Sequence, residues 1–156
     1  MAVDKVKAFF KTFGLDTEIK EFDVSSATVA QAAAALNTMP ERIAKSIGLK
    51  TKNGVIVIVT AGDTKLDNHK YKTCFGEKAH MLGFDEVEAL TGHPVGGVCP
   101  FALNDGVTVY LDESLKRFES VFPACGSTNS AIELTIEEME KYSDYKAWID
   151  VCKVTE

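Results

Sequence analysis

Apolar residues at Val3, Val6, Phe9, Phe10 and Phe13 recur at helical spacing, and Gly14 stands where a helix C-cap belongs. Residues 17–22 then read as a short strand. Thr28 followed three positions later by Gln31 is a capping box, opening an alanine-rich helix that runs to Leu36. Pro40 suits the first position of a helical turn over residues 41–44. Here the period changes from helical to alternating. Residues 45–50 and 55–60 predict strands around Asn53-Gly54, a strong hairpin pair. The second strand, VIVIVT, is almost continuously apolar and belongs in the middle of a sheet, buried on both faces.

Further along, the pattern predicts a helix over residues 67–75, a short strand over 79–82 and a brief helix over 84–90. Residues 98–103 and 107–111 predict a second hairpin about Asp105-Gly106, with VTVYLD alternating as a strand that shows one face to water. A short helix is expected over 113–119, and strands over 121–124 and 131–134. Thr135 with Glu138 is a second capping box, for the last helix, and Trp148, Ile149 and Val151 complete the core. No internal repeat, low-complexity segment or linker interrupts this. Hairpins mixed with helices predict an α/β (α+β) fold, a mixed sheet with helices packed around it.

The chain has 156 residues, about one domain, so residues 1–156 are expected to form a single unit. Mean hydropathy is −0.02, as for a soluble globular chain. No segment approaches the roughly 20 apolar residues that cross a bilayer. The first residues mix lysines with Asp4 and do not read as a secretory signal, so a cytoplasmic location without membrane partners is expected. Cys74, Cys99, Cys125 and Cys152 are widely spaced, with no CxxC, and His69, His80 and His93 have no ligand spacing. Neither a metal nor a cofactor is expected. There is also no GxGxxG or GxxxxGK[ST] nucleotide motif. The net charge of −6 argues against duplex DNA as a partner. Lys65, His69, Lys70, Lys72, Lys78 and His80 nevertheless outnumber Asp67 and Glu77 locally, as a phosphate-binding surface or a solvated lysine face.

The densest glycine and proline run is TGHPVGGVCPFAL, residues 91–103. Gly96-Gly97 frees two successive amides of any Cβ, and Pro100 fixes the exit of the loop. Such a loop can aim N–H groups at a carbonyl or phosphate oxygen. It suits a β-bulge or a barrel corner equally well. Lys45, at the start of a strand, is a candidate to meet a phosphate or carboxylate, or is an outward lysine on the wet face. His93 is a candidate base or a surface histidine. Ser127, in a GSTN loop, is a candidate ligand contact or a turn residue.

Four separated segments, IAKSIGLK, VIVIVTAGDTKLD, TGHPVGGVCPFAL and FPACGSTNSAIELT, resemble in order and spacing the YbaK/prolyl-tRNA-synthetase-associated family of aminoacyl-tRNA editing domains. The resemblance spans nearly the whole chain. It places Gly96 and Pro100 at the ends of the family's GxxxP signature and Lys45 where the family has its functional lysine. It implies a mixed, partly closed sheet of about six to seven strands surrounded by helices. The implied activity is metal-independent hydrolysis, in trans, of a wrong small amino acid such as alanine or cysteine from a tRNA, tRNA-Pro above all. The acceptor end of that tRNA is the implied partner, and a prolyl-tRNA synthetase a further one. The amides of Gly96, Gly97 and Val98 would hold the aminoacyl carbonyl, and Lys45 a phosphate or the ribose. Ser46, Phe22, His93, Pro100, Gly126 and Ser127 complete the implied substrate contacts. Phe22 stands where the cysteine-clearing branch has tyrosine, and a small residue near Ala131 replaces its aspartate. The GSTN loop is closer to branches that clear alanine. A non-catalytic module binding tRNA or a synthetase would use the same pocket, and a small-molecule binder of the same fold would lack nearby basic surface.

Overall fold

The computed structural model describes residues 2–155. Helix α1 (Ala2–Lys11) sinks Val6 and Phe10 into the core, and Gly14 adopts a φ of +73° in the turn beyond it. After strand β1 (Lys20–Glu21) comes α2 (Val29–Leu36), opened by reciprocal hydrogen bonds between Thr28 and Gln31. A 3-10 turn at Pro40–Arg42 leads into β2 (Ile43–Thr51), β3 (Gly54–Ala61) and β4 (Thr64–Leu66). Then follow α3 (Asn68–Phe75), β5 (His80–Met81), α4 (Val87–Thr91) and β6 (Thr108–Asp112). A 3-10 turn at Glu113–Arg117 precedes β7 (Ser120–Pro123), β8 (Ser130–Ala131) and β9 (Leu134–Thr135). The chain finishes with α5 (Ile136–Tyr142), capped by Thr135 and Glu138, then β10 (Ala147–Ile149) and β11 (Cys152–Val154).

The main sheet has the order β10-β6-β3-β2-β7-β9, with β5 also attached to β2. It is mixed and curled: β3–β6, β6–β10 and β2–β7 run parallel, while β2–β3, β2–β5 and β7–β9 run antiparallel. This is the α/β fold expected from the residue pattern, with the mixed, partly closed sheet of six to seven strands that the family resemblance implies. Strand β3 lies at its centre. Val57, Val59 and Ala61 face Val6 and Phe10 of α1 and Met139 of α5, while Ile56 and Ile58 face Tyr71 of α3. No helix among the described residues is long and apolar enough to cross a membrane.

The second predicted hairpin does not form. Residues 98–103 carry no strand, and β6 pairs in parallel with β3 and β10 instead. The backbone of that segment is committed elsewhere: the Phe101 carbonyl meets the His93 ring at 2.6 Å, and Ala102 sits at a φ of +52°. Strand β6 does alternate, with Val109 and Leu111 buried and Thr108 and Tyr110 only partly so, the Tyr110 ring meeting Phe75 at 5.3 Å. In the first hairpin Thr51 pairs with Gly54, so the two turn residues are Lys52 and Asn53 rather than Asn53 and Gly54. The expected strand over 131–134 divides into β8 and β9, which pair with β1 and β7 respectively.

Candidate active site

Strand β2 pairs with β3 from Ala44 to Thr51, but its other edge is interrupted. There Ile43 and Ala44 meet β7, Leu49 and Lys50 meet β5, and the Gly48 carbonyl accepts from the Leu82 amide at 3.0 Å. Among the described residues no strand lies against that edge over residues 45–47. Residues two apart in a strand turn their backbone groups to the same edge. Ser46 therefore directs its N–H and C=O into the gap, as Gly48 does. Its buried Oγ has no hydrogen-bond partner among the described residues.

This gap opens into a cavity of about 280 Å³. Its apolar wall includes Val29 and Ala32 of α2, Leu82, Val87 and Phe122, and its polar groups come from Ser26, Thr28, Lys45, Ser46 and Ser130. Among the described residues no carboxylate, imidazole or thiol lines it. Lys45 is half-buried and donates from Nζ to the Thr64 carbonyl. That carbonyl is held in place from several sides. Thr64 Oγ1 meets Thr60 Oγ1 at 2.6 Å and donates to Ala61 O at 2.7 Å. In the adjoining turn Asp63 takes both Arg117 nitrogens at 2.6 and 3.0 Å, and Gly62 leaves no room for a Cβ, which would stand 2.1 Å from Pro40 O. Burial lowers the Lys45 pKa below the ordinary lysine value, outweighing the opposite pull of Cys152 and Asp63.

The glycine loop forms the facing wall. Gly97 N–H donates to Pro94 O at 2.9 Å, and Gly96, at a φ of +85°, takes the third place of a turn that requires this conformation. Gly96 and Val98 both line the cavity, and their amides donate to no group among the described residues. The Gly97 amide is spent in the turn. A Cβ on Gly97 would stand 2.7 Å from the Ser127 nitrogen, so this glycine joins two loops rather than facing the cavity.

The aminoacyl-tRNA editing domain model matches residues 23–142, a span that contains every residue lining the cavity. The chain belongs to this family. The uncharacterized protein YwhH of Bacillus subtilis (strain 168) is 51% identical over 154 residues, covering 98% of both chains. A candidate Cys-tRNA(Pro)/Cys-tRNA(Cys) deacylase, EbsC of Enterococcus faecalis (strain ATCC 700802 / V583), is 28% identical over 62% of this chain and 67% of EbsC. A solved structure described as a candidate trans-editing enzyme for prolyl-tRNA synthetase superposes with a TM-score of 0.86, covering 97% of each chain at 25% identity. Together these support aminoacyl-tRNA deacylation as the activity of the fold.

Within this editing domain the cavity gathers Lys45, Ser46, Gly96 and Val98. Six residues named from the sequence lie outside its lining. His93 is wholly buried, with Nε2 2.6 Å from Phe101 O and 3.5 Å from Cys99 Sγ, and burial lowers its pKa, which keeps the ring neutral. Pro100 is buried on a different hollow, beside Phe9 and Leu103. Phe22 uses its backbone to hold Asn129, donating at 2.8 Å and accepting at 3.0 Å. Gly126, at a φ of +90°, packs on the Ala2 backbone and donates to Gly97 O at 3.1 Å. Ser127 reaches the cavity only through Ser130, 2.6 Å away between hydroxyls. Ser26, Thr28 and Ser130 are the polar lining residues that sequence reasoning did not single out; Thr28 was legible only as a helix cap.

Proposed function

We propose that this single editing domain is a cytoplasmic trans-acting deacylase that removes a small wrong amino acid, alanine or cysteine, from tRNA-Pro. The observation that carries the reading is the cavity. It is residue-sized, mostly apolar, and edged by the unpaired amides of Gly96 and Val98 and by the open strand edge at Ser46. An aminoacyl ester is already reactive, so holding it and stabilising its carbonyl oxygen removes much of the barrier. In this reading the Gly96 and Val98 amides receive the charge that builds on that oxygen. Water attacks the carbonyl carbon, the bond to the ribose 3′ oxygen breaks, and the water's proton passes to the departing oxygen. Lys45 holds the ribose or a neighbouring phosphate. The lack of a carboxylate or imidazole in the lining among the described residues supports a reaction that needs no metal. The names of EbsC and of the prolyl trans-editing relative support tRNA-Pro as the substrate and a prolyl-tRNA synthetase as a neighbour in the cell.

The test is a deacylation screen of tRNA-Pro charged with alanine, cysteine, serine, threonine or proline, run with and without a chelator. Rapid release of alanine or cysteine, sparing proline and indifferent to chelation, is the expected result. Binding of these tRNAs without turnover of any of them would overturn the enzyme reading in favour of a binding module.

A further inference from the structure

Three of the exposed large apolar side chains belong to the cavity lining or to the turn that adjoins it. Met81 is 59% exposed and Val95 40%, and both line the cavity. Phe84 is 82% exposed, on the turn whose two flanks, Leu82 and Val87, are themselves cavity wall. That turn is fixed. Gly83 N–H donates to Glu86 Oε1 at 3.0 Å, Glu86 N–H donates to Gly83 O at 2.8 Å, and Lys50 pairs with the Glu86 carboxylate. A phenylalanine held in water forgoes most of the free energy its burial would release. An exposed aromatic on a fixed turn beside a site calls for a flat, apolar guest.

Resting on the deacylase reading, we propose that Phe84 is the platform on which the 3′-terminal nucleobase of the charged RNA stacks. With the ester carbonyl at Gly96 and Val98, the esterified ribose occupies the mouth, and its own base is one sugar ring away. An unpaired base would find an aromatic face there. Asp85 beside Phe84 repels phosphate, which favours the uncharged base over the rest of the nucleotide. Stacking is indifferent to which base is presented, so Phe84 positions the acceptor end without choosing the tRNA.

The experiment uses an uncharged RNA minihelix with 2-aminopurine as its 3′-terminal base. Wild-type protein should quench this fluorescence on binding, and Phe84→Ala should abolish the quench and weaken binding about tenfold. Phe84→Trp should restore both, whereas Phe84→Leu, apolar but not aromatic, should not. A minihelix lacking only the terminal base should bind wild type as weakly as Phe84→Ala, with no further loss when the two changes are combined. Absent quenching in the wild type, or equal binding by Phe84→Ala, overturns the proposal and hands the patch to a protein partner. Additive losses overturn it as well. The readout needs no hydrolysis, so an RNA that stacks but is never deacylated would fault the enzyme reading alone.

Discussion

The Gly97 backbone lies against Ser127 so closely that an added Cβ would stand 2.7 Å from the Ser127 nitrogen and 2.9 Å from the Gly126 carbonyl carbon. Neither atom belongs to a side chain that can swing away. Gly97→Val should therefore lower stability by about 3 kcal/mol, the upper part of the range for overpacking, read as a shift in the denaturant midpoint. Deacylation per folded molecule should fall far less than stability, since the Gly97 amide is already bound to Pro94. A variant as stable as wild type but inactive would return this amide to the chemistry.

Lys45 offers a stability test with a definite sign. Burial holds its pKa in the folded protein below the value of an unfolded lysine. Between those two values the unfolded chain binds more protons, so stability rises with pH there and Lys45 is a liability at neutral pH. Lys45→Met should be at least as stable as wild type at pH 7, with the difference between them shrinking as the pH climbs towards 10.5. Activity should fall about ten- to hundredfold, as befits a lost charged contact. Paired pH-dependent melts and single-turnover rates check both halves.

Ser46→Ala removes a buried hydroxyl that has no partner among the described residues. An orphaned buried hydroxyl costs about 1–3 kcal/mol, so the substitution should leave stability unchanged or raise it by about 1 kcal/mol. Should Ser46 Oγ bind the aminoacyl group, KM rises at the same time. Greater stability joined to weaker substrate binding is the expected signature; a loss of stability would mean that the hydroxyl serves the fold.

His93 titrates in the opposite part of the scale. Burial lowers its pKa below 6.5, chiefly by desolvation. Above pH 6.5 it is neutral whether folded or not and has no linkage effect. On acidification the unfolded form gains a proton first, so stability falls by up to about 1.4 kcal/mol per pH unit until the folded pKa is reached. His93→Gln should flatten this acid limb in urea melts at pH 7 and pH 5, while the pH profile of deacylation keeps its shape.

What was legible in the sequence was local. The Thr28 and Thr135 caps depend on contacts three residues apart, and VIVIVT declares its central place by composition alone. Lys45 and Gly96 stood out because strand and loop types at those points suit a cavity, whereas Ser46 and Val98 came only from the family resemblance. Much of what escaped the sequence depends on partners distant in the chain. Nothing near Gly97 foretells Ser127, and nothing near Asp105-Gly106 foretells that the Phe101 carbonyl is claimed by a buried His93. The three-residue strands β4, β10 and β11 are too short to carry a period. Ser130 was hidden behind Ser127, which reads as the more inviting turn hydroxyl.

The interrupted edge of β2 also bears on how this protein behaves in a crowd. Unpaired strand edges invite strands from other chains, and folded proteins guard them with charge, brevity or cover. Here the exposed stretch is about one residue deep, sunk between α2 and the Leu82 wall, with a lysine at its end. An invading strand needs several consecutive partners before its pairing outweighs the lost chain entropy, and it finds none beyond Ser46. A lone amino acid needs no more than that. The dimensions that let a guest in one residue at a time also keep this edge from templating aggregation.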